Sequence, residues 1–338
     1  MIVKKYGGSS LKDLDSLQKV AQSIADDKDK QVIVVSAKSG FTNEILSEAS
    51  KLAKKPSLRE IDQMIITGEM INASLLTIAL LELGVRAISQ NALSLGMEAS
   101  LDYGDGKLLR INKLKLDELL GSYDVVVLTG YQALAGSDFI SLGRGGSDTT
   151  AIAVASLLDA PCKIYTDVSG VYLIDPKLNK SFKPLDTISY DNMLEFSLSG
   201  NKVLAPKAAA LAFDKKVKTS ILKSLSEKGT DIVDIESDGI KGIEMTYNVK
   251  LFNYYLENAL MYFTISGNIN SLVKCEKSDL VLFHIIGSFL IKANISQKLS
   301  EIFNKYEIKS FFMKENYVSF LVLEENKDVI LKEILQIV

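Results

Sequence analysis

Ile2-Val3-Lys4-Lys5-Tyr6-Gly7-Gly8-Ser9-Ser10 is the stretch whose reading sets the architecture. A short β-rich run ends at a lysine and a tyrosine; two glycines and two hydroxyls follow. Beyond them Leu14, Leu17, Val20, Ala21 and Ile24 recur at helical spacing. The same grammar returns along the chain: Gln31–Ser36, Val125–Thr129 and Cys162–Thr166 read as buried strands that stop at small or polar residues. Asp148 to Leu158 reads as an Ala-rich, deeply buried helix. Strands alternating with helices over the first two-thirds predict a parallel sheet covered by helices, an α/β fold.

Bulk properties narrow the chemistry. At 338 residues the chain exceeds one compact core of ordinary size, so two domains are expected. A formal net charge of −3 argues against a nucleic-acid partner, which would show as a basic excess. No apolar run reaches the roughly 18–20 residues needed to cross a bilayer. Charge follows Met1-Ile2-Val3 where a signal peptide would carry its apolar core, so no membrane partner and a cytoplasmic location are expected. Two cysteines, Cys162 and Cys275, and one histidine, His284, cannot build a disulfide scaffold or a Cys/His zinc site. His284 sits in Leu280–Ile286, an apolar stretch that reads as a packed strand. Catalysis must then rest on Lys, Arg, Asp, Glu and backbone amides, the groups that serve phosphoryl transfer.

Four clusters carry such groups, each read at a strand end. In Lys5–Ser10, glycines let backbone N–H groups close on a phosphate, and the following helix N-terminus favours the same anion. That makes Lys5, Gly7, Gly8 and Ser9 phosphate-site candidates; the plainer reading is a turn with Ser10 or Asp13 as helix cap. No G-x-x-x-x-G-K-[ST] occurs. Ser36-Ala37-Lys38-Ser39-Gly40-Phe41-Thr42-Asn43 lies where open α/β sheets bind ligands, with Thr42 otherwise capping a helix. In Ser141-Leu142-Gly143-Arg144-Gly145-Gly146-Ser147-Asp148, an arginine between glycines is free to approach a carboxylate bidentately. Asp148, at a helix start, could orient a lysine. Tyr165 to Lys177 offers a strand end, a Ser169-Gly170 turn, an aromatic and a basic residue, suited to a nucleotide or to a simple β-turn.

Together and in order, these segments resemble the aspartokinases of the amino-acid-kinase family, closely over about residues 1–235. The family's K-F-G-G-T-S is similar to Lys5–Ser10, its S-A-M-S-G-x-T-N to Ser36–Asn43 and its S-G-E to Thr67-Gly68-Glu69. Its G-R-G-G-S-D is Gly143–Asp148 unchanged, and its T-D-V-D-G-[IV]-Y-x-x-D-P-R is similar to Thr166–Lys177. Gly200–Pro206 resembles its G-A-K-V-L-H-P, and Gly229-Thr230 its closing G-T. The resemblance implies a three-layer αβα sandwich that phosphorylates L-aspartate with ATP and Mg²⁺, the ion held largely by phosphates and water. By that analogy Lys5 contacts the transferring phosphoryl group, Asp148 holds the catalytic lysines, and Lys202 reaches the ATP phosphates. Ser36, Thr42, Glu69, Arg144, Gly145 and Ser147 would bind aspartate, with Arg144 on its α-carboxylate and Glu69 towards its amino group. Thr166, Asp167, Tyr172 and Lys177 would form the nucleotide site, and no protein metal cage is implied. Departures are Tyr6 for Phe, Ser9 for Thr, Lys38 for Met, Lys177 for Arg and Ala205 for His. Leu95–Ile111 matches the family poorly.

After Gly239 the chain turns richer in Phe, Tyr, Asn and Lys. The catalytic domain is expected at 1–235 and a smaller α+β, ACT-like regulatory domain at 240–338. Residues 280–338 read as one βαββαβ unit missing or borrowing a strand, beside a reduced unit with strands at Gly242–Tyr247 and Leu260–Ile265. The resemblance implies a lysine or threonine effector here and a homodimer or higher homo-oligomer. The alternatives are another amino-acid kinase, acting on glutamate, acetylglutamate or a nucleoside monophosphate, or a non-catalytic regulator that binds ATP or an amino acid.

Overall fold

A computed structural model describes residues 1–235, 239–247, 249–252, 260–263, 269–274, 279–288, 293–306, 308–314 and 317–337. The chain forms two compact units. The first comprises Met1–Val171, Pro184–Tyr190 and Val203–Val233; the second comprises Tyr172–Lys183, Asp191–Lys202 and Asp234–Val338.

The first unit is a three-layer αβα sandwich on an eight-stranded sheet. Its order is Thr187–Ser189, Gly229–Val233, Thr219–Lys223, Cys162–Thr166, Ile2–Tyr6, Gln31–Val35, Val125–Thr129 and Ala87–Gln90. Every neighbouring pair is parallel except Thr219–Lys223 with Gly229–Val233. The central strands Gln31–Val35 and Val125–Thr129 are buried throughout, as strands covered on both faces must be. Side chains alternate across the first strand. Tyr6 joins the core formed with helices Leu14–Asp26 and Thr67–Glu82, stacked on Tyr165 at 4.7 Å. Lys5 therefore points to the other face, where helix Gly146–Leu158 lies.

Leu58–Glu82, two helices in succession, is by length and composition apolar enough to cross a membrane. That qualifies the expectation that no such run exists. Ala73, Leu76 and Leu80 are spent on the sheet core, the ordinary use of such a helix in a folded domain. A second, four-stranded sheet of Leu108–Ile111, Met97–Ala99, Gln132–Ala135 and Asp138–Ser141 holds the region that matched the family poorly.

The second unit has a four-stranded antiparallel sheet in the order Gly239–Tyr247, Leu280–Ser288, Tyr317–Leu323, Ser310–Lys314, with helices Ala293–Lys305 and Lys327–Leu335. Ile285, Phe283, Leu299, Phe320, Ile330 and Ile334 form its core. Gly239–Tyr247, expected in the reduced neighbour, instead pairs along Leu280–Ser288 and satisfies an edge that would otherwise be bare. Val249–Phe252, Ile269–Lys274 and Leu260–Phe263 form a separate three-stranded sheet. Residues 264–265 of the expected Leu260–Ile265 strand lie outside the described residues. His284 is a strand histidine, largely buried, beside Ser319 and stacked on Tyr317 at 4.6 Å. Desolvation pushes its pKa down to about 4. Tyr172–Lys183 and Asp191–Lys202 belong with this sheet: Ile243 N–H donates to the Leu173 carbonyl at 2.7 Å, and Asn201 Nδ2 donates to Glu244 at 2.7 Å.

Candidate active site

The chain leaves the first strand on one side for Gln31–Val35 and returns on the other for Cys162–Thr166. Lys5 and Gly7 thus lie at a topological switch point, at the carboxyl ends of parallel strands. Lys5, buried, places Nζ 2.7 Å from Asp148 Oδ1, and only 11% and 13% of the two side chains are exposed. Asp148 stands in the first turn of Gly146–Leu158, where the helix dipole favours its charge.

Gly8 is required by close approach, and a Cβ on Gly7 would stand 3.3 Å from the Tyr165 carbonyl oxygen. Gly7 N–H donates to the Tyr165 carbonyl at 3.1 Å, and a Cβ on Gly8 would stand 2.5 Å from the Ala37 carbonyl oxygen and 2.9 Å from Ser39 N. The Lys5–Ser10 turn and the Ser36–Asn43 loop are therefore one structure, joined where Ser39 N–H donates to the Gly8 carbonyl at 3.1 Å. Ser9 is exposed beside them. Asp13, not Ser10, caps the helix, accepting from Ser16 N–H at 2.8 Å. Helix Phe41–Leu52 begins after Gly40, which puts Thr42 within its first turn and not at its cap.

Glu69 enters this loop from helix Thr67–Glu82. One carboxylate oxygen accepts from Ala37 N–H at 2.9 Å; the other is buried without a partner. Desolvation raises its pKa to about 7, against the pull of Lys5 and of the hydrogen bonds. Asn72 Nδ2 holds the Ser36 carbonyl at 2.8 Å from the same helix. A buried acid with a free oxygen is a ready partner for a ligand's ammonium group.

The arginine loop is clamped on several sides. Gly143 and Gly145 have φ of +71° and +76°, conformations only glycine adopts without strain. Asp105, held by Lys207 Nζ at 2.6 Å, packs against Gly143, and a side chain on Gly145 would overlap Ala205. Ala205 thus fills the space against the loop where the family has histidine. Ser147 is buried against Gly130, while Arg144 is exposed.

Thr166 ends its strand, its carbonyl accepting from Ser224 N–H at 3.0 Å and its hydroxyl bonding the exposed Asp167 at 3.1 Å. Tyr172, Lys177 and Lys202 belong to the segments of the second unit, with Lys177 and Lys202 exposed. The first unit thus brings together Lys5, Gly7, Gly8, Ser36, Glu69 and Asp148, and three expected nucleotide residues are carried by the other unit.

Two residues escaped the motifs. Tyr131 has φ +71°, a strained backbone for a bulky residue, directly after the buried strand Val125–Thr129. The strand-end rule that exposed the other loops applied equally to Gly130-Tyr131. Asp62 is wholly buried in helix Leu58–Ile65, an acid on the apolar side with Ile61 and Ile65.

Comparison with known proteins gives the family of the chain. The profile of the Amino acid kinase family matches residues 1–223. An aspartokinase of Bacillus sp. (strain MGA3) is 32% identical over 337 residues, 98% of this chain and 79% of that one. Aspartokinase 2 of Bacillus subtilis (strain 168) is 34% identical over 277 residues, 80% of this chain and 66% of its own length. Among solved structures, E. coli aspartokinase III in complex with aspartate and ADP superposes with a TM-score of 0.80 at 18% identity, covering 99% of both chains. With a family profile over residues 1–223 and an aspartokinase aligned along nearly its whole length, the chain belongs to the amino acid kinase family, as one of its aspartokinases.

Proposed function

We propose that this protein transfers the γ-phosphoryl group of ATP to the β-carboxylate of L-aspartate, giving 4-phospho-L-aspartate and ADP, the entry to the aspartate-derived amino acids. The Glu69 carboxylate oxygen, buried without a partner beside the loop that follows a central strand, carries the reading. It offers the counter-charge that an α-ammonium needs, and Arg144, flanked by glycines, offers the fork for an α-carboxylate. The relatives' names point the same way.

The attacking β-carboxylate is already ionised at neutral pH, so the reaction calls for no general base. Its oxygen forms a bond to the γ-phosphorus as the bond to the ADP oxygen breaks. Lys5 neutralises charge on the transferring group, Lys202 on the ATP phosphates, and Asp148 positions Lys5. Amides of Gly7, Gly8 and Ser9 cradle phosphate oxygens, and Thr166, Asp167, Tyr172 and Lys177 hold the nucleotide. Ser36, Thr42, Gly145 and Ser147 complete the aspartate site. Mg²⁺ would supply charge neutralisation between the phosphates.

Residues 1–235 form the catalytic part in this proposal and 240–338 an ACT-like regulatory part. The test is ATP-dependent formation of aspartyl phosphate, trapped with hydroxylamine as the hydroxamate, with glutamate and Lys5→Ala as controls. Hydroxamate from aspartate that disappears in the variant supports the reading. No product with any amino acid, from a folded protein that binds ATP, would leave a non-catalytic regulator.

A further inference from the structure

Asp62 is a carboxylate with no exposure, and its hydrogen bonds leave its own helix. Oδ2 accepts from Gly104 N–H at 2.9 Å and from Ser141 N–H at 3.0 Å, while Oδ1 accepts from the Ser141 hydroxyl at 2.6 Å. Both partners lead to the arginine loop. Ser141 ends the strand Asp138–Ser141 and is followed by Leu142, whose N–H is held by the Tyr131 carbonyl at 2.8 Å, and then by Gly143 and Arg144. Gly104 precedes Asp105, whose carboxylate packs against Gly143. Gly106 N–H closes the ring on the Ser141 carbonyl at 2.8 Å.

Burying a carboxylate is costly, and its neighbours Ile61 and Ile65 show that the helix could have been anchored by apolar packing alone. What an apolar residue could not do is hold two separate loops in fixed register through three directed bonds. We propose that Asp62 is a positioning residue for substrate binding: it fixes the backbone on both sides of Gly143 so that Arg144 meets the aspartate α-carboxylate. This rests on the reading of Arg144 given above.

Misplacing a binding group by about 1 Å can cost on the order of 10²-fold, so Asp62→Ala is expected to raise KM for aspartate about tenfold or more. KM for ATP should stay within about twofold, a split that general loosening of the fold would not give. Asp62→Asn keeps an oxygen for the two amides and presents its NH₂ to the Ser141 hydroxyl, so it should restore aspartate KM to within about threefold of the parent. The decisive comparison repeats Asp62→Ala in an Arg144→Ala background, where a residue acting only through Arg144 adds nothing further. Equal rises in both KM values, or a full additional rise in that background, would overturn the proposal. Should Asp62→Ala not fold, Ser141→Ala, which keeps the two amide bonds, takes its place. It should raise aspartate KM by about threefold in the parent and not in Arg144→Ala, and no rise would overturn the proposal. If Arg144→Ala alone leaves aspartate KM unchanged, the reading of the arginine falls and this inference with it.

Discussion

Glu69 is held in a state that suits a ligand better than it suits the empty fold. Its pKa of about 7, against 4.5 for an ordinary glutamate, means that the folded protein keeps a proton the unfolded chain has lost between those pH values. Its burial therefore costs little below about pH 4.5 and costs stability increasingly as pH rises to 7, approaching about 3 kcal/mol. Glu69→Gln should accordingly gain stability over the parent as pH moves from 5 to 8 in urea unfolding, while losing aspartate affinity. The sign for catalysis is opposite: an ammonium group binds the ionised form, so kcat/KM for aspartate should climb with pH through about 7. In Glu69→Gln that limb should vanish; its survival would assign the titration elsewhere. Lys5→Ala, which removes a charge from the transferring group and leaves Asp148 without its buried counter-ion, should lower kcat by about 10²–10³-fold. In the sequence, glycines and strand ends flagged Lys5 and Asp148 as candidates, whereas Glu69 was flagged by the family resemblance alone. Asp62 was unreadable because a polar residue in an amphipathic helix ordinarily faces water, and only its three hydrogen bonds, to residues 42 and 79 positions away, reveal that it does not.

At the level of elements, strands and helices were legible wherever apolar periodicity was unbroken: Ile2–Tyr6, Val125–Thr129 and Cys162–Thr166 stand where the pattern put them. Their ends depended on contacts from afar, which is why the helix after Gly40 begins at Phe41 and leaves Thr42 inside it. The same distant contacts decide what the glycine turns tolerate. Gly8→Ala would drive a methyl group into the Ala37 carbonyl and Ser39 amide, both backbone atoms with little room to yield. It should cost about 1–3 kcal/mol and reduce activity more than Gly121→Ala, whose Cβ meets nothing within 4 Å on a helical backbone that any residue adopts. Thermal melts and initial rates on both variants check this. In the second unit, His284 stays neutral in its strand while an unfolded chain would take up a proton below pH 6.5. Its contribution is fully present above pH 6.5 and declines as pH falls towards 4, by about 3 kcal/mol at most. His284→Phe should flatten that acid limb in urea unfolding of the whole protein; an unchanged limb would place the titration elsewhere.

For the whole molecule, the composition shift after Gly239 suggested a boundary but gave no sign that Tyr172–Lys183 and Asp191–Lys202 group with the C-terminal sheet. Those segments carry kinase motifs, and motif grammar says nothing about which core a loop leans on. We propose lysine or threonine as effector and association through the ACT-like region. Inhibition assays with each amino acid, and light scattering at micromolar concentration, check both; a monomer that neither amino acid inhibits would refute them. The strand Gly239–Tyr247 has one more consequence. It fills the sheet position beside Leu280–Ser288 although it precedes every other strand of that sheet, so the sheet is completed by the chain on its way in. Topologically the sheet needs no covalent path from 247 to 280 for its own pairing. A protease site engineered between those positions should therefore yield a nicked protein whose two pieces co-elute as one complementing pair, held together by the ladder that the incoming strand forms.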